Sequence, residues 1–289
     1  MSKRHTSDNN QSSHHKSLSH FFLAEEIFRR AGGNTHISNE VVLDDAAIVH
    51  QMLHVLRLAP GDCAKLLDGQ GNMWKAKINL VGRNSITFEL LEQLVTANTK
   101  EQSRCQVVTL LPLLKGPRFE WALEKLTELN VTGIQPFTST RTVVKVKERE
   151  DSDGRQKRWQ NIIREAAEQS ERLLLPELAA PLSLTALLEQ QSRISSKPAL
   201  NLLLSERIEA PNIVQFLSSA VGNSSPLGNA DTLRIVILSG PEGGFTAEEK
   251  ELISAHGYQN ISLGKTILRG ETAAILAAGI AYAIASTLD

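Results

Sequence analysis

Apolar and polar positions change rhythm about a third of the way along the chain. Between residues 20 and 95 the apolar segments are short and strand-like, at 20–23, 63–67, 72–81 and 85–93. Asp68-Gly69-Gln70-Gly71 sits between two of them as a hairpin signal. One helix interrupts the strands. Asp44 or Asp45 caps it, Ile48, Met52, Val55 and Leu56 form its apolar stripe, and Pro60-Gly61-Asp62 ends it. This pattern predicts a small, mostly β barrel holding one helix over residues 20–95. Polar residues 96–104 form a linker, and beyond them strands alternate with helices. Buried strands are expected at 105–111, 133–137, 200–204, 233–238 and 260–264, with a Pro/Gly/Ser-rich loop at 222–231. Phe119, Leu123, Leu126 and Leu129 recur at helical spacing, and 155–173 reads as an amphipathic helix with Trp159, Ile162, Ile163 and Ala166 facing inward. The alternation predicts an α/β domain with a mostly parallel sheet over 105–289. Thr246-Ala247-Glu248-Glu249 forms a capping box that opens a helix. The final helix, from about Glu271, is apolar nearly all round: Leu276, Ile280 and Ile284 make one row, and Ala274, Ala277, Ala278, Ala281 and Ala285 another. Such a helix needs cover on every side, which predicts a homodimer.

Composition narrows the class. The chain has 289 residues, 41% of them hydrophobic, enough for two domains with a sizeable core. Residues 1–19 are polar and His-bearing and read as a disordered tail, with no signal peptide. The longest apolar run, 272–288, is Ala-rich and short of a membrane span. Cys63 and Cys105 match no metal spacing, so a reducing compartment is expected, and with it a cytoplasmic protein with no metal and no membrane partner. The net charge of −1 excludes a generic nucleic-acid glue. Residues 96–173 carry 14 Lys/Arg against 11 Asp/Glu, and 174–289 carry 7 against 11, so any RNA contact should be local.

The candidate chemistry lies in two strand-turn-helix edges. Leu238-Ser239-Gly240-Pro241-Glu242-Gly243-Gly244-Phe245 is the first; Leu263-Gly264-Lys265-Thr266-Ile267-Leu268-Arg269-Gly270-Glu271-Thr272-Ala273 is the second. The glycines of the first permit positive φ and close approach of a ligand. Two such edges can wall one pocket at the carboxyl ends of parallel strands, where open α/β sheets bind ligands. Gly264-Lys265-Thr266 lacks the glycine of a phosphate-binding loop, since position 259 is Gln, and the first edge lacks the G-x-G-x-x-G spacing of dinucleotide folds. His50 and His54, four apart on one helix face, have no third ligand following. Arg269 follows Ile267-Leu268, where a cation needs an anionic partner: Glu271 or Glu242 in a structural role, a substrate oxygen or RNA phosphate in a functional one.

These two edges, with Lys115-Gly116-Pro117-Arg118-Phe119-Glu120, Glu124-Lys125-Leu126-Thr127-Glu128-Leu129, Arg141 and Val143-Val144, and Glu165-Ala166-Ala167-Glu168-Gln169-Ser170-Glu171-Arg172, resemble the RsmE family of uridine-N3 ribosomal RNA methyltransferases. Residues 45–62, with His50, His54, Val55, Leu56 and Arg57, resemble that family's N-terminal domain. The resemblance implies a SPOUT-type, trefoil-knotted α/β methyltransferase domain preceded by a PUA-like β-barrel domain, and methylation of small-subunit ribosomal RNA, in an assembled subunit, by a homodimer. It implies S-adenosylmethionine (SAM) as cofactor, held by Leu204, Leu238, Gly240, Pro241, Glu242, Gly243, Gly244, Leu263, Gly264, Ile267, Leu268 and Thr272. Arg269, Glu242 and Glu271 become candidates for catalysis, and Arg57, Arg118, Arg141 and Arg172 for substrate binding. Arg118 and Arg172 also read as helix-terminus charges. Gly270 departs from the family, where Thr is expected, and should loosen the turn. Another RNA target such as transfer RNA, or a non-catalytic dimeric RNA-binding protein, are the alternatives.

Overall fold

The computed structural model describes residues 18–32, 39–96, 105–144, 152–194, 199–206, 209–222 and 232–287. The expected tail up to residue 17, the linker after Thr96 and the 222–231 loop from residue 223 lie outside the described residues. Two compact units divide the chain. One holds the described residues up to Leu67 with Met73–Leu94; the other holds Asp68–Asn72 and the residues from Val95 onward.

The first unit runs β1 (His20–Phe22), α1 (Glu25–Gly32), β2 (Glu40–Leu43), α2 (Ala46–His50), β3 (Cys63–Leu67), β4 (Met73–Val81) and β5 (Ile86–Val95). Its strands form one sheet in the order β1-β3-β4-β5-β2. Phe21 on one edge strand, Val41 and Leu43 on the other, and Ala64, Leu66, Ala76, Ile78, Ile86 and Phe88 between them feed a single core with Ile48, Val49 and Met52. Both edges turn toward the same interior, as a small sheet does when it curls into a barrel. Asp45 caps α2, its Oδ1 accepting from the Ala47 and Ile48 amides at 2.9 and 3.1 Å. The stripe expected on this helix is only half right. Residues Gln51–Val55 continue it with a π turn, the Leu56 N–H reaching Gln51 O at 2.9 Å. The wider winding shifts the phase, so Met52 stays buried while Val55 and Leu56 are 64% and 42% exposed. Arg57 then takes φ +56°, which turns the chain out of the helix.

The second unit is the α/β half. Its elements are β6 (Cys105–Pro112), α3 (Arg118–Glu128), β7 (Gly133–Thr138), α4 (Ser152–Gln169), β8 (Glu177–Leu178), β9 (Leu182–Ser183), α5 (Leu184–Ile194), β10 (Ala199–Leu204), α6 (Ile213–Gly222), β11 (Leu233–Leu238), α7 (Ala247–Ala255), β12 (Gln259–Ile261) and α8 (Gly270–Ala285). The sheet is parallel, ordered β12-β10-β11-β6-β7-β8, with β9 also on β7. Chain order reverses between β6 and β11: β6 leads to β7 on one side, and β10 leads through α6 to β11 on the other. Val107, Leu111, Ile235 and Ile237 face one layer, with α3, α6 and α8; Leu110, Val236 and Leu238 face the other, with Leu187 and Leu188 of α5 and Ile253 of α7. Trp159 and Ile163 face inward on α4, Trp159 meeting Phe119 at 4.5 Å between rings.

The last helix packs on β6 and β11 through its alanine row, Ala274, Ala277, Ala278, Ala281 and Ala285, each nearly inaccessible. Its larger side chains are less covered: Leu276 and Tyr282 are about two-fifths exposed, and Ile280 and Ile284 are half-buried. No described helix is long and apolar enough to cross a membrane.

The loop leaving β11 and the start of α8 touch. A Cβ added at Gly270 would lie 2.7 Å from the carbonyl oxygen of Gly240. The expectation of a loosened turn is therefore corrected: a glycine here lets two backbone segments approach where no side chain fits. Gly270→Ala should lower stability by roughly 1–3 kcal/mol through overpacking. Gly279, on the same helix, leaves room for ordinary contact with Leu129 at 3.5 Å, so Gly279→Ala should hold or raise stability by helix propensity. Thermal melting of the two variants checks this pair of opposite signs; a Gly270→Ala protein as stable as the parent would disprove the tight crossing.

Candidate active site

All strands of the second unit being parallel, the loops after β6, β7, β11 and β12 gather at one edge of the sheet, around the reversal between β6 and β11. Their side chains stitch them together. The Thr246–Glu249 capping box is present as expected, with Glu249 N–H on Thr246 Oγ1 at 3.2 Å and Thr246 N–H on Glu249 Oε2 at 2.9 Å. Glu249 Oε1 also accepts from the Thr140 amide at 2.8 Å, so one cap joins α7 to the loop after β7. Arg141 donates from Nη1 to Gly243 O at 3.0 Å. Of the three glycines in the first loop, only Gly244 uses a positive φ, +67°. Gly240 and Gly243 serve close packing instead: an added Cβ would press the Phe245 ring at 3.3 Å and the Arg141 Cβ at 2.9 Å.

Arg118, at the start of α3, lies between the two expected carboxylates. Its Nη1 donates to Glu242 Oε1 at 3.3 Å, and its Nε lies 4.0 Å from Glu271 Oε1. The Lys115 amide also donates to Glu242 Oε1, at 3.4 Å. The structural pairing considered for Arg269, with Glu242 or Glu271, is thereby corrected, because Arg118 takes both. Arg269 precedes α8 in an extended conformation, exposed, and its guanidinium meets no partner among the described residues. Glu271 is 3% exposed, and its Oε2 has no hydrogen-bond partner among the described residues; Ser239 Oγ, beside Gly240, is likewise buried and has none among them. Leu204, Leu263, Leu268 and Thr272 are half-buried, Ile267 is exposed, and Leu238 and Pro241 are buried. Gly264 takes φ +126° with open space where a side chain would stand.

The other expected arginines part ways. Arg172 turns inward, donating to Thr127 O at 2.7 Å and Val131 O at 3.0 Å, so it ties down carbonyls at the end of α3. Burial pushes its guanidinium down to about 10, still charged at neutral pH. Of the two readings it carried, the helix-terminus charge is the one its contacts support. Arg57 is exposed, in the first unit. The His50 and His54 rings lie 4.9 Å apart and tilted by 44°, and among the described residues no three His, Cys, Asp or Glu side chains gather around a metal position. Sequence reading missed the Lys115 amide and Ser239. The signal for Ser239 was its place at a buried strand end, where a hydroxyl needs a partner.

Both halves of the chain match known families. The family model described as RNA methyltransferase domain matches residues 101–282, and that described as RNA methyltransferase PUA domain matches residues 43–91. The ribosomal RNA small subunit methyltransferase E of Synechocystis sp. is 36% identical over 91% of this chain and 78% of its own length. The Bacillus subtilis protein of the same name is 30% identical over 79% of this chain and 84% of its own. The crystal structure of the Neisseria gonorrhoeae methyltransferase E bound to S-adenosyl methionine superposes with a TM-score of 0.69 at 26% identity, covering 91% of this chain and 96% of that one. With a PUA-domain match in the first unit and an RNA methyltransferase match over the parallel α/β half, the chain belongs to the ribosomal RNA small subunit methyltransferase E family.

Proposed function

We propose that the protein transfers a methyl group from SAM to N3 of a uridine in small-subunit ribosomal RNA, acting on an assembled subunit as a homodimer. The observation that carries the reading is the convergence, at one sheet edge, of two glycine loops, two carboxylates and an exposed arginine with no partner among the described residues. The residues present suit the cofactor. Gly244 and Gly264 leave backbone uncovered for close approach, Leu263, Ile267 and Leu268 offer apolar surface to a flat adenine, and Glu271 Oε2 and Ser239 Oγ await partners.

SAM supplies a methyl group already activated on a sulfonium, which leaves position and charge to the chain. The uridine imide must lose its N3 proton, spreading negative charge over O2 and O4. Glu242, with a side chain 26% exposed at the mouth, is placed to take that proton. Arg269 supplies a free guanidinium to the developing charge. Arg141, which donates to Gly243 O, and Arg57 in the PUA-like unit are both exposed and suit RNA phosphate. Arg118 and Arg172 are left out of the substrate set because their charges are already engaged inside the protein.

Nucleoside mass spectrometry of ribosomal RNA from cells with and without the gene tests the function. N3-methyluridine should disappear from the small-subunit RNA with the gene; its persistence would sink the assignment.

Arg269→Ala should lower methylation roughly 10²–10³-fold, about 3–4 kcal/mol of transition-state stabilisation by analogy with other lost oxyanion donors. Its melting temperature should stay at the parent value, since an exposed, unpaired side chain contributes little stability. A tritium-methyl assay on undermethylated small subunits beside circular-dichroism melting separates the two effects. Early melting with parent turnover would remove Arg269 from the active site.

The dimer is supported by the exposed Leu276 and Tyr282 of α8 and Trp121 of α3, which packs on α8. Light scattering at micromolar concentration should give twice the 31.7 kDa chain mass; a monomer would refute it.

A further inference from the structure

The one guanidinium of Arg118 is shared by two carboxylates, one in the loop after β11 and one in the first turn of α8, and it satisfies neither well. Its contact with Glu242 is 3.3 Å and that with Glu271 is 4.0 Å, against the roughly 2.7–2.9 Å of a well-formed charge-assisted bond. Glu271 is the worse served, with a side chain only 5% exposed and one oxygen enclosed without any donor. Burying an ionised carboxylate costs several kcal/mol unless a cation and hydrogen bonds meet it. Two carboxylates against one guanidinium also leave this cluster one negative charge in excess. Its place is fixed firmly: Glu271 follows Gly270, whose backbone abuts Gly240, so the carboxylate cannot drift away from the first glycine loop.

We propose that Glu271 is the acceptor for a positive charge on the cofactor, and that Arg118 holds that place as a stand-in cation until the cofactor arrives. This rests on SAM being the cofactor. The ligand chemistry is an organic cation, either the ammonium of the methionyl end or the sulfonium. Arg118, 41% exposed and at the long end of its contact, releases Glu271 and keeps its shorter contact with Glu242. Glu271 is then a cofactor-binding group, and Glu242 alone remains for the uridine proton.

Isothermal titration of the full chain with three ligands tests this. SAM carries both cations, S-adenosylhomocysteine only the ammonium, and 5′-methylthioadenosine neither. Glu271→Gln should weaken SAM roughly tenfold to a hundredfold, the worth of a charged hydrogen bond, and leave methylthioadenosine unchanged. S-adenosylhomocysteine weakened to the same degree identifies the ammonium; if it is spared, the sulfonium is the group received. Equal loss for all three ligands, or no loss for SAM, overturns the proposal. Arg118→Met is the second arm and decides if Glu271→Gln fails to fold. Removing the stand-in cation should raise the affinity for SAM relative to methylthioadenosine, whereas an unchanged or lowered ratio overturns the proposal. A parent protein that binds none of the three would instead sink the SAM reading itself.

Discussion

The contact between the Gly240 carbonyl and Gly270 is the constraint on which the site depends. A side chain at position 270 would hold the loop after β11 away from the first turn of α8, and Glu242 and Glu271 would no longer share Arg118. Close approach recurs along the rest of that helix. The alanine row settles α8 on β6 and β11, the strands between which chain order reverses, while the adjoining α3 delivers Arg118 from its first residue. Small residues thus act at a distance, by fixing how near the loops come to one another. Ridge-and-groove packing has this property generally: interaxial distance is set by the side chains at the contact.

The sequence displayed most of this frame. The change from strand rhythm to strand-helix alternation was legible because buried parallel strands such as 105–111 and 233–238 are continuous apolar runs. The capping box at Thr246 was legible because it is a purely local device. What escaped was of two kinds. β2, β8, β9 and α1 were passed over: the strands run to only two to four residues, too few for a period to show. α5 and α6 were missed although Leu184, Leu187 and Leu188 have helical spacing, because α5 starts directly after β9 with no turn between them and α6 runs to only 10 residues. The misjudged Val55 and Leu56 had another cause. A π turn inserts its extra residue without any composition signal, so a stripe read at constant pitch drifts out of phase.

Site residues followed a similar division. Which residues belong to the two glycine loops was legible, since each loop is a contiguous stretch. Which cation meets which anion was not, since Arg118 lies 124 positions from Glu242 and about as far from any local cue to it. Arg118 and Arg172 looked alike as helix-end charges. One helix start faces the glycine loops and the other helix end faces the interior, and only the packing of α3 distinguishes them.

This sorting of arginines explains how a chain with net charge −1 can address RNA. A diffuse positive surface would bind any nucleic acid in proportion to the phosphates it neutralises, with steep salt dependence. Here Arg172 is buried against carbonyls and Arg118 is divided between two carboxylates, so neither adds to such a field. Arg269 and the exposed Arg141 remain beside the glycine loops, where each acts over the few ångströms that a screened charge reaches well. The acidic excess of residues 174–289 likewise adds nothing to a positive field.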